Sequence, residues 1–244
     1  MTTDRADLLR ALHVPGSPVI LPNVWDAASA RAVREAGFPA VATGSAAVAH
    51  VLGYEDGEGT PVGEMMAAIA RIVRVVDVPV TADIERGYGL KPAELVERLA
   101  ATGAVGCNIE DSTAGALVDP GEQADFLAEM RAAAGRGLVI NARVDVYLRG
   151  RPFREEAVER GRRYLEAGAD CVYPIGLGDE DEIGALVSEL GGPVNILSRP
   201  GVPSFGRLAE LGVARISFGD GLHRAAHTYA ESLFGKVRQG RSPY

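Results

Sequence analysis

Glu166-Ala167-Gly168-Ala169-Asp170-Cys171-Val172 reads as the last turn of a helix, a glycine that ends it, and the start of an apolar strand. The phrase is written three more times: EAGFPAV from Glu35 to Val41, ATGAVGC from Ala101 to Cys107, and ELGVARI from Glu210 to Ile216. Helices commonly end on a residue with left-handed backbone angles, which glycine adopts without a Cβ clash. Gly37, Gly103, Gly168 and Gly212 therefore mark helix ends, each leading into a strand. Recurrence of one helix–glycine–strand phrase predicts a repeating β/α unit.

Working outward gives eight strand candidates: Val19–Pro22, Ala40–Thr43, Val80–Asp83, Val105–Ile109, Val139–Arg143, Cys171–Pro174, Val194–Leu197 and Arg215–Phe218. Amphipathic stretches follow them at about Asp26–Ala36, Pro61–Val76, Pro92–Thr102, Pro120–Ala134, Arg154–Ala167, Asp179–Leu190, Ser204–Leu211 and Leu222–Val237. Pro61 and Pro92 stand where helices begin and a missing N–H costs no hydrogen bond. Eight units of about 30 residues fit a closed (β/α)8 barrel, which ordinarily needs about 250 residues, and the chain has 244. A doubly wound open sheet is the alternative, but it usually carries a glycine-rich phosphate loop after its first strand. Pro22-Asn23-Val24-Trp25-Asp26 is no such loop. With no linker or low-complexity stretch, the expectation is one α/β domain over residues 1–244: a TIM-type barrel preceded by a short N-terminal helix.

Hydrophobic residues make up 47% of the chain, enough for a large core, and the formal net charge is −8. An acidic balance counts against nonspecific nucleic-acid binding, which needs a basic footprint. No apolar run approaches the ~18 residues of a membrane span, and the charged start lacks a signal-peptide core. Cys107 and Cys171 fall inside strands and read as buried, reduced thiols. A cytoplasmic location is expected.

In such barrels the active site lies at the C-terminal ends of the strands. Those ends are rich in polar groups: Asn23 and Asp26 after the first strand, Thr43-Gly44-Ser45 after the second, Asp83 and Glu85 after the third. Glu110 and Asp111 end the fourth, Arg143 and Asp145 the fifth, while Asn195 lies in the seventh and Ser217 in the eighth. Asp83, Glu85 and Glu110 would converge on the barrel axis, and like charges so placed call for protons or a cation. An all-oxygen set suits Mg²⁺, with Mn²⁺ as a substitute, rather than zinc. The competing reading is that these acids cap helices or pair with Arg86 and Arg143. Thr43-Gly44-Ser45-Ala46 reads as a small-residue turn that either holds a carboxylate or phosphonate or merely reverses the chain. Arg143 either grips a substrate carboxylate by its planar fork or forms an internal ion pair with Glu110 or Asp145. Trp25 either lines the pocket or packs the barrel mouth. His50, Tyr54, Tyr88 and Tyr173 are candidate proton donors, and His13, His223 and His227 are expected at the surface.

Together these motifs resemble the isocitrate lyase/phosphoenolpyruvate mutase family. Asp83-Ile84-Glu85-Arg86-Gly87-Tyr88-Gly89 resembles its acidic motif, Ile109-Glu110-Asp111 its fourth strand end, and Ala142-Arg143-Val144-Asp145 its Ala-Arg-x-Asp motif. Thr43-Gly44-Ser45 followed by Gly53-Tyr54-Glu55-Asp56 resembles its substrate turn and the acid after it. The resemblance implies a Mg²⁺-dependent barrel that breaks or forms C–C or P–C bonds of small 2-oxo acids through a metal-stabilised enolate. By that analogy Asp83 is the chief metal ligand, and Glu85, Glu110 and Asp56 act mainly through water. Thr43, Gly44 and Ser45 hold a carboxylate and Arg143 orients substrate, with Asn195 and Trp25 as further candidate substrate contacts. A homo-oligomer, a tetramer built from dimers whose subunits exchange their last helix, is implied as well.

Two departures narrow the expectation. Family lyases carry a catalytic Cys in a Lys/Arg-Cys-Gly-His loop after the fourth strand, and mutases a Lys and Asn. Here Ser112-Thr113-Ala114-Gly115-Ala116-Leu117-Val118 has none of Cys, Lys, His or Asn. After the sixth strand Tyr173-Pro174-Ile175-Gly176 supplies neither His nor Glu. Both count against isocitrate or methylisocitrate cleavage and against phosphoenolpyruvate mutation. The expectation is a Mg²⁺-dependent lyase or decarboxylase of a small 2-oxo or 2-hydroxy dicarboxylate. A phosphonomutase, a phosphonopyruvate hydrolase-like enzyme and a noncatalytic carboxylate binder are the alternatives.

Overall fold

Val19–Leu21 and Asn23–Val24 form one extended run that changes neighbour at Pro22, a residue with no N–H to give a ladder. In the computed structural model, which describes residues 2–113, 115–149 and 154–244, the first half pairs in parallel with Arg215–Ser217 and the second with Val41–Thr43. The order continues through Val80–Asp83, Gly106–Ile109, Val139–Arg143 and Cys171–Tyr173, all parallel. A parallel bridge from Val172 to Val194 reaches the seventh strand, Asn195–Leu197, which pairs with Arg215–Ser217. The ring closes as the eight-stranded parallel barrel expected. Strands covered on both faces are apolar almost throughout; every residue of Val139–Arg143 is buried.

All eight expected helices are present, with ends displaced by at most three residues. The glycine reading holds at the backbone: Gly103 has φ +83° and Gly168 φ +103°. Gly168 meets a second demand, since a Cβ there would lie 2.7 Å from Arg131 Cγ. Arg131 packs so close because it donates to the carbonyls of Gly168 (2.9 Å) and Leu138 (2.8 Å) and pairs with Asp170 at 2.6 Å. Helix Thr2–Ala11 plugs the end of the barrel where strands begin, with Leu9 packed among Leu21, Ala42, Val105 and Val139.

Three expectations need correction. The stretch after the second strand is no turn: Gly44 caps an eight-residue helix, Ser45–Leu52, which ends on Gly53 at φ +86°. His13 is buried, with Nδ1 2.8 Å from the Leu9 carbonyl, and burial pushes its ring down to about 4, so it is neutral. His223 is also buried, leaving His227 exposed as expected. Among the described residues no helix is long and apolar enough to cross a membrane.

Candidate active site

A cavity of about 220 Å³ opens at the C-terminal ends of the strands. Gly44, Ser45, Asp56, Asp83, Arg143 and Tyr173 are among its lining residues. Asp83 ends the third strand, and its N–H donates to Thr43 Oγ1 at 2.9 Å. Thr43 therefore supports Asp83 from beneath rather than lining the cavity. Asp83 Oδ2 accepts from Ser45 N–H at 3.2 Å and Ser45 Oγ at 3.0 Å. Its Oδ1 is buried and has no partner. A buried carboxylate oxygen left unpaired is costly unless a cation or proton answers it. The surrounding donors are all oxygens, so the residues present fit Mg²⁺.

Three further acids feel that charge. Burial raises the Asp56 carboxyl and the charge of Asp83 adds to the rise, against hydrogen bonds from Gly57 and Ser45. Burial likewise raises Glu85, whose oxygens are both engaged: Oε1 accepts from Tyr88 O–H at 2.7 Å and Oε2 from the Glu58 N–H. Glu58 Oε1 in turn accepts from Tyr88 N–H at 2.5 Å. Glu58, Glu85 and Tyr88 all have positive φ, between 51° and 65°. Non-glycine residues so held cost about 1–3 kcal/mol each and cluster at functional sites. Both Glu85 oxygens are thus already engaged within the protein, unlike Oδ1 of Asp83. Burial pushes Glu110 up to about 8, although the Arg143 guanidinium on Oε1 pulls it down.

Arg143 is buried at the end of the fifth strand. Its Nε donates to Asp145 Oδ1 at 3.0 Å and its Nη1 to Glu110. Burial opposes its charge, but the carboxylates of Asp145, Glu110 and Asp83 outweigh that and raise it. Of the two sequence readings of Arg143, the internal ion pair is present, with both Glu110 and Asp145, and the side chain also lines the cavity. The Ser112–Thr113 and Ala116–Leu117 segments form a small antiparallel hairpin, with Ala114 outside the described residues. Ser112 Oγ donates to Asp145, and Asp145 N–H donates to Asp111 at 2.8 Å. Asp111 is held by Tyr164 O–H (2.7 Å) and Arg160 (3.1 Å), so it is a support and not a ligand.

Two candidate substrate contacts lie elsewhere. Asn195 is fully buried inside the barrel and donates to Ser217 Oγ at 3.2 Å, in a polar layer that includes Asn108, Asn141 and the buried Arg215. Trp25 packs edge-on against His223, 5.0 Å between centroids, and against the main core, the barrel-mouth alternative. Neither is among the lining residues. Of the four candidate donors only Tyr173 lines the cavity; Tyr54 bonds Glu64, Tyr88 bonds Glu85, and His50 faces the last helix. Asn23, in sequence a strand-end residue, lines the cavity as well. It donates to the Thr43 carbonyl (2.8 Å) and accepts from Phe218 N–H (2.8 Å) and Gly219 N–H (3.1 Å), tying three strand ends together. Asp220 also lines the cavity, and its signal in the sequence is the Gly219-Asp220-Gly221 stretch after the last strand. Both thiols are free, fully buried and pushed up to about 12 by that burial.

The phosphoenolpyruvate phosphomutase family model matches residues 9–238. The chain belongs to that family. An uncharacterized protein of Mycobacterium tuberculosis is 37% identical over 239 residues, covering 96% of this chain and 92% of the relative. The oxaloacetate decarboxylase of Pseudomonas entomophila is 30% identical over 230 residues, 89% of this chain and 79% of that one. Among solved structures, a Burkholderia cenocepacia protein provisionally designated a phosphonomutase is 40% identical, with TM-score 0.91 and coverage of 95% and 99%. A phosphonopyruvate hydrolase complexed with oxalate and Mg²⁺ is 26% identical, with TM-score 0.87 and coverage of 97% and 87%. Phosphoenolpyruvate phosphomutase relatives are thus enzymes named for both C–C and P–C chemistry, the breadth the sequence resemblance implied.

Proposed function

We propose that this protein is a Mg²⁺-dependent lyase or decarboxylase that cleaves a C–C bond of a small 2-oxo or 2-hydroxy dicarboxylate. The observation that carries the reading is the unpartnered, buried Oδ1 of Asp83, in a cavity that also holds Arg143 and a helix N-terminus. Asp83 would hold the cation directly, with Asp56, Glu85 and Glu110 around it through water. When bound, the cation supplies positive charge beside the substrate oxygen that takes up electrons as the C–C bond breaks.

The chain's own groups do the rest. Gly44 and Ser45 begin the helix Ser45–Leu52; their own N–H groups are engaged by Val24 and Asp83, so the helix dipole and the next first-turn N–H, that of Ala46 on the cavity wall, would favour an anion. Gly44 permits close approach there, since a Cβ would sit 3.2 Å from the Gly219 carbonyl oxygen. Arg143 would grip the second carboxylate. A cavity of 220 Å³ suits a substrate of a few carbons rather than a large ligand. Tyr173 is protonated at neutral pH, and burial pushes its hydroxyl further up, to about 12. That hydroxyl would hold a proton for the carbon released, the role family lyases give to a loop that here, at Ser112–Val118, carries no Cys, Lys or His. Tyr173→Phe is expected to lower turnover about 100-fold, within the usual range for one acid–base group, with oxalate affinity little changed. Equal loss of both would reassign Tyr173 to binding.

The deciding experiment is calorimetry with oxalate, which mimics the enolate fragment. Competitive, Mg²⁺-dependent binding is expected, and no binding at saturating Mg²⁺ would remove the enolate reading and favour a noncatalytic binder. A screen of 2-oxo acids, malate derivatives and phosphonopyruvate then separates C–C from P–C cleavage. The proposal extends to assembly. Tyr229, Phe234 and Val237 on the last helix, Gly221–Arg238, are exposed apolar side chains that a second copy would cover. Light scattering at micromolar concentration is expected to report a multiple of the chain mass; a monomer would refute this.

A further inference from the structure

Three imidazoles meet beside the mouth of the acidic cavity. His50 lies in the last turn of the helix Ser45–Leu52. His223 and His227, four residues apart on Gly221–Arg238, share one helix face. Ring centroids are 5.0 Å apart for His50 and His223, 5.0 Å for His50 and His227, and 4.3 Å for His223 and His227. One nitrogen from each ring lies within 4.8 Å of the other two. Among the described residues none of these rings makes a hydrogen bond, and the Nε2 of His223, a residue only 4% exposed, is buried without a partner. A second cavity, about 440 Å³, opens onto the three rings.

We propose that His50, His223 and His227 bind one divalent cation of the zinc class, at a site beside the acidic cavity, with which its own cavity shares Ala46, Asp56 and Asp220. Edge-to-face ring packing alone accounts for the contacts but leaves a buried ring nitrogen unanswered, whereas a cation answers all three. Zn–N bonds of about 2.0–2.1 Å in a tetrahedron set nitrogens about 3.4 Å apart. Modest rotation of the two exposed rings, His50 and His227, closes the difference. Three imidazoles leave a fourth position for water. Imidazole suits zinc, cobalt or nickel, while Mg²⁺ prefers oxygen, so the two sites sort cations by ligand chemistry. The bound ion would tie the helix Ser45–Leu52 to the last helix, whose cap Asp220 lines the acidic cavity.

The test uses the full chain stripped with chelator, then titrated with zinc chloride by calorimetry in excess Mg²⁺, and with cobalt chloride by visible absorption. One equivalent of zinc is expected, with a higher Tm and a four-coordinate cobalt spectrum. In the double variant His50→Gln, His227→Gln, zinc affinity is expected to fall by roughly 100-fold or more and the cobalt band to vanish. Its Mg²⁺-dependent oxalate binding should stay as in the parent. That last readout makes the failure of this site distinguishable from failure of the Mg²⁺ reading. Zinc binding that survives the double substitution at parental affinity, displacement of zinc by Mg²⁺, or absence of a cobalt band in the parent would each overturn the proposal.

Discussion

Asp83→Ala is expected to weaken Mg²⁺-dependent oxalate binding by more than about 100-fold, since residues that only support metal ligands are already worth about 10–100-fold. The protein should nonetheless fold. The substitution deletes a carboxylate whose Oδ1 has no partner and which raises Asp56, Glu85 and Glu110 by its charge. What it forfeits is two hydrogen bonds from Ser45, at 3.2 and 3.0 Å, whose donors then face the cavity and water. Relief of repulsion and loss of these bonds oppose each other, so the net stability change should stay within about 1–2 kcal/mol. Asp83→Asn separates charge from positioning. An amide oxygen can still accept from Ser45 and keep the helix Ser45–Leu52 in place, but it carries no charge. Loss of oxalate binding in both variants identifies charge as the cause. Recovery in Asp83→Asn would make Asp83 a prop for the helix, and parental binding by Asp83→Ala, or turnover undiminished in excess chelator, would remove it from the cation site.

The barrel was legible because its signals are local and repeated. Gly103 and Gly168 end helices with positive φ as the repeated phrase demanded, and Pro92 opens a helix as its missing N–H allows. The helix Ser45–Leu52 was not legible as one. It is short, begins on Gly44, and buries Ser45, Ala47, Val48 and Ala49, so neither length nor an amphipathic stripe announces it. The acids at the strand ends were legible as a set, since a parallel barrel carries every strand end to one face. Their individual standing was not. Tyr88 and Glu58 engage both oxygens of Glu85, whereas Asp83 keeps one unanswered, and only side-chain geometry distinguishes them. Asn195 misled because strand position alone does not say how deep a side chain sits; it belongs to the polar layer with Arg215 and Asn108. The three-histidine cluster joins positions more than 170 residues apart, and His50 carries no spacing signal toward His223 and His227.

Arg143→Lys is expected to cut turnover about 100-fold while oxalate binding falls far less. The guanidinium spans two carboxylates, donating from Nε to Asp145 at 3.0 Å and from Nη1 to Glu110. A lysine ammonium is a point donor on a flexible stem and cannot reproduce that planar fork. One buried acid must then lose its charged partner. Asp145 is only 2% exposed and is also bonded by Ser112, so a lysine that turned to Glu110 would leave it in deficit. Losing one charge-assisted hydrogen bond there costs about 1.5–3 kcal/mol, and Tm should fall accordingly. The kinetic effect has a separate origin. In the proposed arrangement oxalate would occupy the half of the cavity next to Asp83 and the start of the helix Ser45–Leu52, whereas Arg143 would hold the carboxylate that departs. Positioning of a departing group matters most as its bond breaks, so kcat should fall more than substrate affinity. If Arg143 serves only the ion pairs, Arg143→Lys will lower Tm and leave kcat within a fewfold of the parent. A fall in oxalate affinity equal to the fall in kcat would instead place Arg143 on the retained fragment and reverse the orientation of substrate proposed above.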